Sequence, residues 1–207
     1  MRITASAAQR RAVSLALLVC SLGMSHNAFA HEQTGIAGGL TSGFMHPLTG
    51  LDHLVAMVAV GLWGAQLGAP AIWVLPITFP LVMAVGGVLG VLGIPLPLPE
   101  LFISLSALVL GAVVAARARW PFAAACAVVA VFAIFHGYAH GAELPRAANP
   151  LAYGVGFVVA TGLLHLCGIA IGTLTRSPTG QRGVQALGAA IAVLGGYFLV
   201  RTLAGVS

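Results

Sequence analysis

Two short segments of the sequence place histidines and carboxylates at spacings that suit metal binding. The first segment is HPLTGLDH, residues 46–53, and its donors are His46, Asp52 and His53. Pro47 suits the first position of a helix, so we expect a helix that begins there, with His46 at its entry. On a regular helix His46 and His53 then share nearly one face, and Asp52, offset by about 100 degrees, reaches the same cavity.

The second segment is FHGYAHGAE, residues 135–143. His136 and His140 stand one helical turn apart, about 6 Å along the axis, and Glu143 follows three residues later on the same face. This spacing can offer two nitrogen ligands and one oxygen ligand to a single ion. Gly137 and Gly141 leave room for a neighbouring helix to approach closely.

The donor types restrict which ion could bind. Imidazole together with carboxylate suits Ni, Zn, Co or Cu(II), whereas Ca and Mg prefer shells made only of oxygen. Cys126 and Cys167 lie away from both segments, which disfavours a soft Cu(I) site. One HxxxH pattern alone is weak evidence, but the two segments together predict a site for a divalent transition metal.

The composition indicates an integral membrane protein. Hydrophobic residues make up 59% of the 207 positions and charged residues only 6%, where about a quarter is usual in soluble domains. The formal net charge of +5 comes from arginines that stand singly or in pairs rather than in a basic cluster. We therefore expect the lipid bilayer, and no nucleic acid, as a partner.

The first thirty residues have the features of a cleavable signal peptide. Arginines precede an apolar run over residues 12–24, and the Ala-Phe-Ala segment 28–30 supplies small residues for cleavage. The run is too short to cross a hydrocarbon core of roughly 30 Å comfortably. We predict a signal peptide over residues 1–30 and a mature chain, 31–207, that begins at His31; an uncleaved anchor is the alternative.

The mature chain predicts an all-α bundle of six transmembrane helices. Pro, Gly and Arg separate apolar stretches long enough to span a bilayer, at residues 47–68, 71–93, 99–117, 121–140, 150–174 and 183–203. A cleaved signal peptide and six spans place both termini in the periplasm of a bacterial inner membrane. The arginines agree with this orientation, because most of those in the loops then face the cytoplasm: Arg117, Arg119, Arg176 and Arg182.

This topology gathers the acids and most histidines at the exterior end. Four further residues are secondary site candidates. His31 could chelate a metal through its free amine and imidazole, and Glu100 starts the third span. Phe79, between two prolines, could be an apolar gate or a packing residue. His165 lies deeper, in the fifth span, and could be functional or simply hydrogen-bonded to a neighbouring helix.

The two segments closely resemble the metal-recognition motifs of the HupE/UreJ family of nickel permeases, which serve hydrogenase and urease maturation. The likeness covers the whole mature chain, and it maps the motifs onto His46, Asp52, His53, His136, His140 and Glu143. The resemblance also includes Phe79 and Glu100 among the positions of interest. The resemblance implies passage of Ni2+ into the cytoplasm, whereas the spacing of the donors alone indicates only a divalent transition metal.

We therefore expect a permease, not an enzyme, that transports Ni2+ or, as a second candidate, Co2+. No permanently bound cofactor is expected. The sequence contains no phosphate-binding loop, so ATP-independent transport driven by the membrane potential is favoured. One alternative is a zinc-dependent membrane hydrolase that uses the same cluster. A sensor or chaperone that binds metal without transporting it is another, and the oligomeric state is not predicted.

Overall fold

The computed structural model describes residues 35–144 and 149–205. Within these ranges the chain forms seven α-helices and one 3-10 turn, Thr173–Arg176. The helices are α1 (Gly35–Thr49), α2 (Leu51–Leu67), α3 (Ala71–Val91), α4 (Pro99–Ala115), α5 (Phe122–Ala142), α6 (Pro150–Gly172) and α7 (Pro178–Leu203). The predicted signal peptide, residues 1–30, and His31 lie outside the described residues.

The described part of the chain confirms an all-helical membrane protein. Helices α3, α5 and α7, and α6 together with the 3-10 turn, are each long and apolar enough to cross a bilayer. Helices α1 and α2 meet the same test only together, and they are bent by 80°. Helix α4 is apolar, but its 17 residues make it shorter than the 18 residues taken as the minimum for a span. The described residues thus provide four spans, or five if the bent pair is one span, and six spans stay a prediction.

The predicted start of the first helix at Pro47 is wrong. Pro47 lies inside α1, which begins at Gly35, and the chain turns sharply at Gly50 before α2. The glycine-rich segment before Pro47 has low helix propensity. Its glycines instead allow close packing on α6, because a Cβ at Gly43 would overlap the carbonyl group of Tyr153. Tertiary packing therefore overrides local propensity here.

Helix α2 is the central helix of the bundle. Every residue from Val55 to Gly64 is buried, and α2 packs against α1, α3, α4, α6 and α7 and reaches α5 through the ring of His53. A helix that is apolar on all sides is expected at the centre of such an assembly. Near the C-terminal end of α2, the indole N–H of Trp63 donates a hydrogen bond to the carbonyl of Ala118 at 3.0 Å.

Glycines bring α3 and α5 into backbone contact, as the sequence predicted for Gly137 and Gly141. A Cβ at Gly86 would overlap the carbonyl of Ile134, and a Cβ at Gly90 would overlap that of Tyr138. On the facing helix, a Cβ at Gly137 would overlap the carbonyl of Met83. This close approach holds the histidines of α5 against α3.

Successive helices from α2 to α7 run in alternating directions, which separates the charged residues along the bundle. Helices α4 and α7 are antiparallel, since Ser104 bonds Thr202 at 3.0 Å near one end and Gln185 bonds the carbonyl of Ala115 near the other. The acids of the described chain lie at one end: Asp52, Glu100 and Glu143. Among the described residues, the arginines of the short connections lie at the opposite end: Arg117, Arg119 and Arg176.

Candidate metal site

The bend between α1 and α2 places two histidines against a third. In one continuous helix, His46 and His53 would be about 10 Å apart along the axis. In the folded chain, the ring centroid of His46 lies 4.6 Å from that of His140, and the ring of His53 lies 4.4 Å from it. The turn at Gly50 thus directs both histidines of the first segment to the same residue of α5.

The second segment supplies the other side of the cluster. His136 lies one turn from His140 on α5, and its ring centroid is 4.9 Å from that of His53. Four imidazoles from three helices therefore form a continuous series in the order His46, His140, His53, His136. We call this series the histidine row.

Asp52 orients His53 within the row. Its Oδ1 accepts a hydrogen bond from the backbone N–H of His53 at 2.8 Å and lies 2.8 Å from the Nδ1 of the same residue. A proton on Nδ1 satisfies this contact and leaves the lone pair on Nε2 free. A carboxylate that fixes the tautomer of a ligating histidine is a common partner in metal sites. The structure therefore shows Asp52 in contact with a predicted ligand.

The remaining ring nitrogens of the row are largely unpaired. Nδ1 of His136 lies 2.9 Å from the carbonyl oxygen of Phe132. Among the described residues, Nε2 of His53, Nε2 of His136 and both nitrogens of His140 are buried without a hydrogen-bond partner. Buried polar atoms normally have partners, and an ion is one explanation for those that lack them. The row thus offers buried nitrogen lone pairs from two helices.

An outer triad, His46, His140 and Glu143, lies where the row meets the surface. One ligand atom from each residue can be chosen so that all three lie within 4.8 Å of one another. Glu143 caps the end of α5 and is exposed, whereas His140 is buried. Glu100, exposed in the first turn of α4, is near enough to interact electrostatically with Glu143 and His53.

Phe79 closes the inner end of the row. Its side chain is fully buried on α3, and its ring centroid is 5.3 Å from that of His136. The ring of His165 lies 5.5 Å from that of Phe79. Phe79 therefore contacts both the row and His165.

Two aromatic residues of α6 that the sequence analysis did not select also contact the row. The ring centroid of Phe157 is 4.2 Å from that of His140, and that of Tyr153 is 6.0 Å from that of His46. The buried residues Tyr153, Phe157, Thr161 and His165 recur every four positions. That periodic series, which ends in a histidine, is the pattern that could have identified them.

Comparison with known proteins decides the family. A family model described as HupE / UreJ protein matches residues 17–198. The chain belongs to the HupE/UreJ family. Protein HupE of Rhizobium leguminosarum bv. viciae is 44% identical over 174 residues, which cover 84% of this chain and 91% of that protein. No solved structure matches the chain at a significant level.

The HupE/UreJ assignment confirms the resemblance inferred from the two segments. It does not test which side chains bind an ion, so the metal ligands of this HupE/UreJ member stay a prediction. Its structure adds that five of the predicted ligands belong to two connected groups, the row and the outer triad, and that Asp52 contacts His53.

Proposed function

We propose that this protein carries Ni2+ across the bacterial inner membrane into the cytoplasm, with Co2+ as a second substrate. The family supports this proposal, because HupE/UreJ proteins are accessory proteins of hydrogenase and urease that transport nickel or cobalt. The observation that carries it is the histidine row, in which imidazoles from separate helices meet inside an apolar bundle.

The outer triad is the proposed entry point for the hydrated ion. Glu143 is exposed and negatively charged, so it can attract a cation to the end of the bundle. His46 and His140 then replace part of the hydration shell. Nitrogen and carboxylate donors together favour Ni2+ or Co2+ over Mg2+ and Ca2+.

From the outer triad the ion moves along the histidine row toward Phe79. Neighbouring rings are between 4.4 and 4.9 Å apart, so one imidazole can bind before the previous one releases. Neutral imidazoles hold the ion less tightly than a closed carboxylate cage, which permits release. Asp52 keeps Nε2 of His53 available by holding the proton on Nδ1.

The membrane potential supplies the driving force in this proposal. Moving a double charge across 100 mV releases about 4.6 kcal/mol, at about 2.3 kcal/mol for each unit charge. The acid end, with Glu143, faces the periplasm, and the end with Arg117 and Arg176 faces the cytoplasm. Both termini are then periplasmic.

Proteoliposomes test the proposal directly. Purified protein is reconstituted with a chelator inside and an inside-negative potential, and radioactive nickel uptake is measured. We expect accumulation with the unmodified protein and at least about a 10-fold slower rate with His140→Ala, because His140 contacts both other helices of the row. Competition with Co2+, Zn2+ and Cu2+ then ranks the substrates.

The matched control is Tyr138→Ala. Tyr138 lies between His136 and His140 in sequence, but a side chain two residues away points to another face of the helix. This variant should transport normally. Metal binding without accumulation would favour a sensor or chaperone, and hydrolysis of a lipid or peptide without accumulation would favour the zinc hydrolase.

A further inference from the structure

His165 is a buried imidazole that the histidine row does not include. Its side chain is 1% exposed, and within the described chain neither ring nitrogen makes a well-formed hydrogen bond. Such a group is costly inside an apolar bundle unless it serves a ligand. Its ring lies 5.5 Å from that of Phe79, which also contacts His136 of the row.

A backbone carbonyl without its usual donor lies beside this ring. In a regular helix the carbonyl of Pro76 would accept from the backbone N–H of residue 80, but that residue is Pro80. The carbonyl of Pro76 faces one nitrogen of the His165 ring, which leaves the other nitrogen for a ligand. A groove of about 320 Å³ between α3 and α6 borders both residues, and exposed side chains such as those of Trp73 and Ile77 also line it.

The hydroxyl of Thr161 is a third donor. It precedes His165 by one turn on the same face of α6, and it is fully buried without a hydrogen-bond partner among the described residues. Helical Thr hydroxyls usually bond a carbonyl in the preceding turn. Thr41 and Thr173 do so in this chain, at 3.0 and 2.7 Å. The hydroxyl of Thr161 is therefore available to a ligand.

We propose that His165, Thr161 and the carbonyl of Pro76 form a second, inner binding site for the transported Ni2+ or Co2+. One nitrogen and two neutral oxygens suit a borderline cation, with water completing the shell. No carboxylate of the described chain lies at this depth, so the inner site binds more weakly than the outer triad. It receives the ion past Phe79 and passes it toward the arginine end of the bundle.

This inference rests on the proposed transport function, and two measurements separate them. Equilibrium dialysis counts the Ni2+ ions bound to purified protein, and proteoliposomes report uptake. We expect two ions per unmodified chain and one per His165→Phe chain, since Phe fills the space without a nitrogen. Uptake by His165→Phe should fall at least about 10-fold. Val155→Ala, at an exposed position of α6 outside this groove, should behave as the unmodified protein.

Each outcome has a definite meaning. The inner site would be overturned if the unmodified protein bound only one ion. It would also be overturned if the His165→Phe protein bound two ions or took up nickel at an undiminished rate. A third result separates the two proposals: the unmodified protein binds two ions, the His165→Phe protein binds one, and the unmodified protein transports none. In that case the proposed function fails while the inner site stands.

A second variant covers the case in which His165→Phe does not fold. Thr161→Val keeps the shape of the side chain and removes only the hydroxyl. We expect the affinity for the second ion to fall about 10-fold while the first ion is unaffected. Thr173→Val, whose hydroxyl already bonds the carbonyl of Ala170, is the matched control. Unchanged binding of both ions by Thr161→Val would refute the proposal.

Discussion

The pairing of Asp52 with His53 shows how one residue can prepare another for metal binding. The carboxylate lies against Nδ1 of His53, while Nε2 of the same ring is buried and unpaired among the described residues. His136 has a comparable arrangement, with a backbone carbonyl in place of the carboxylate. In both cases the fold sets which nitrogen can bind an ion.

Substitution of Asp52 tests this positioning role. Asp52→Ala removes the acceptor of the Nδ1 proton, so the affinity for Ni2+ should fall about 10- to 100-fold. Asp52→Asn keeps an oxygen that can accept the same bond, and its affinity should lie between those of Asp52→Ala and the unmodified protein. Isothermal titration calorimetry measures all three, and equal affinities would contradict the positioning role.

At the scale of the helices, the site depends on two close backbone approaches and one bend. Helix α1 packs on α6 through Gly43, and α3 packs on α5 through Gly137. The 80° bend between α1 and α2 turns His46 back toward the bundle. These contacts hold the donors of three helices in one row.

Enlarging Gly137 should separate α3 from α5. A Cβ there would overlap the carbonyl of Met83, and overpacking of this kind costs about 1 to 3 kcal/mol. We expect Gly137→Ala to lower the unfolding temperature in detergent and to weaken Ni2+ binding, because α5 carries His136. Gly154→Ala, on α6, is the control, since its Cβ would meet no atom within 4 Å. Equal unfolding temperatures for the two variants would contradict this account.

At the scale of the whole molecule, the acids of the described chain lie at one end of an apolar bundle and the histidine row extends inward from that end. An ion in that row would link α1, α2 and α5. Because an ion that binds only the folded state stabilises it, binding should be visible in the stability of the entire chain.

Ni2+ should therefore raise the unfolding temperature of the purified protein. At a free concentration 100 times the dissociation constant, the expected stabilisation is about 2.7 kcal/mol. Scanning calorimetry in detergent should show an increase that a chelator reverses and that His140→Ala largely removes. Mg2+ is the control ion, because it prefers oxygen ligands, and a comparable effect of Mg2+ would contradict selective binding.

The sequence by itself determined the helical class, the family and the identity of the candidate ligands. The spacing of His136, His140 and Glu143 follows the period of a helix, so local geometry was enough to group them. Apolar stretches of spanning length likewise predicted α3, α5 and α6 closely. These features depend on residues near one another in the chain, so composition and periodicity are enough to predict them.

Only the tertiary structure decided how the two segments meet. The helical segment before Pro47, the bend at Gly50 and the contact of Phe79 with both His136 and His165 all depend on packing between helices distant in sequence. A glycine-rich segment has little preference for helix until another backbone packs against it. For that reason the local pattern indicated the donors, and the contacts between helices determined the order in which they lie.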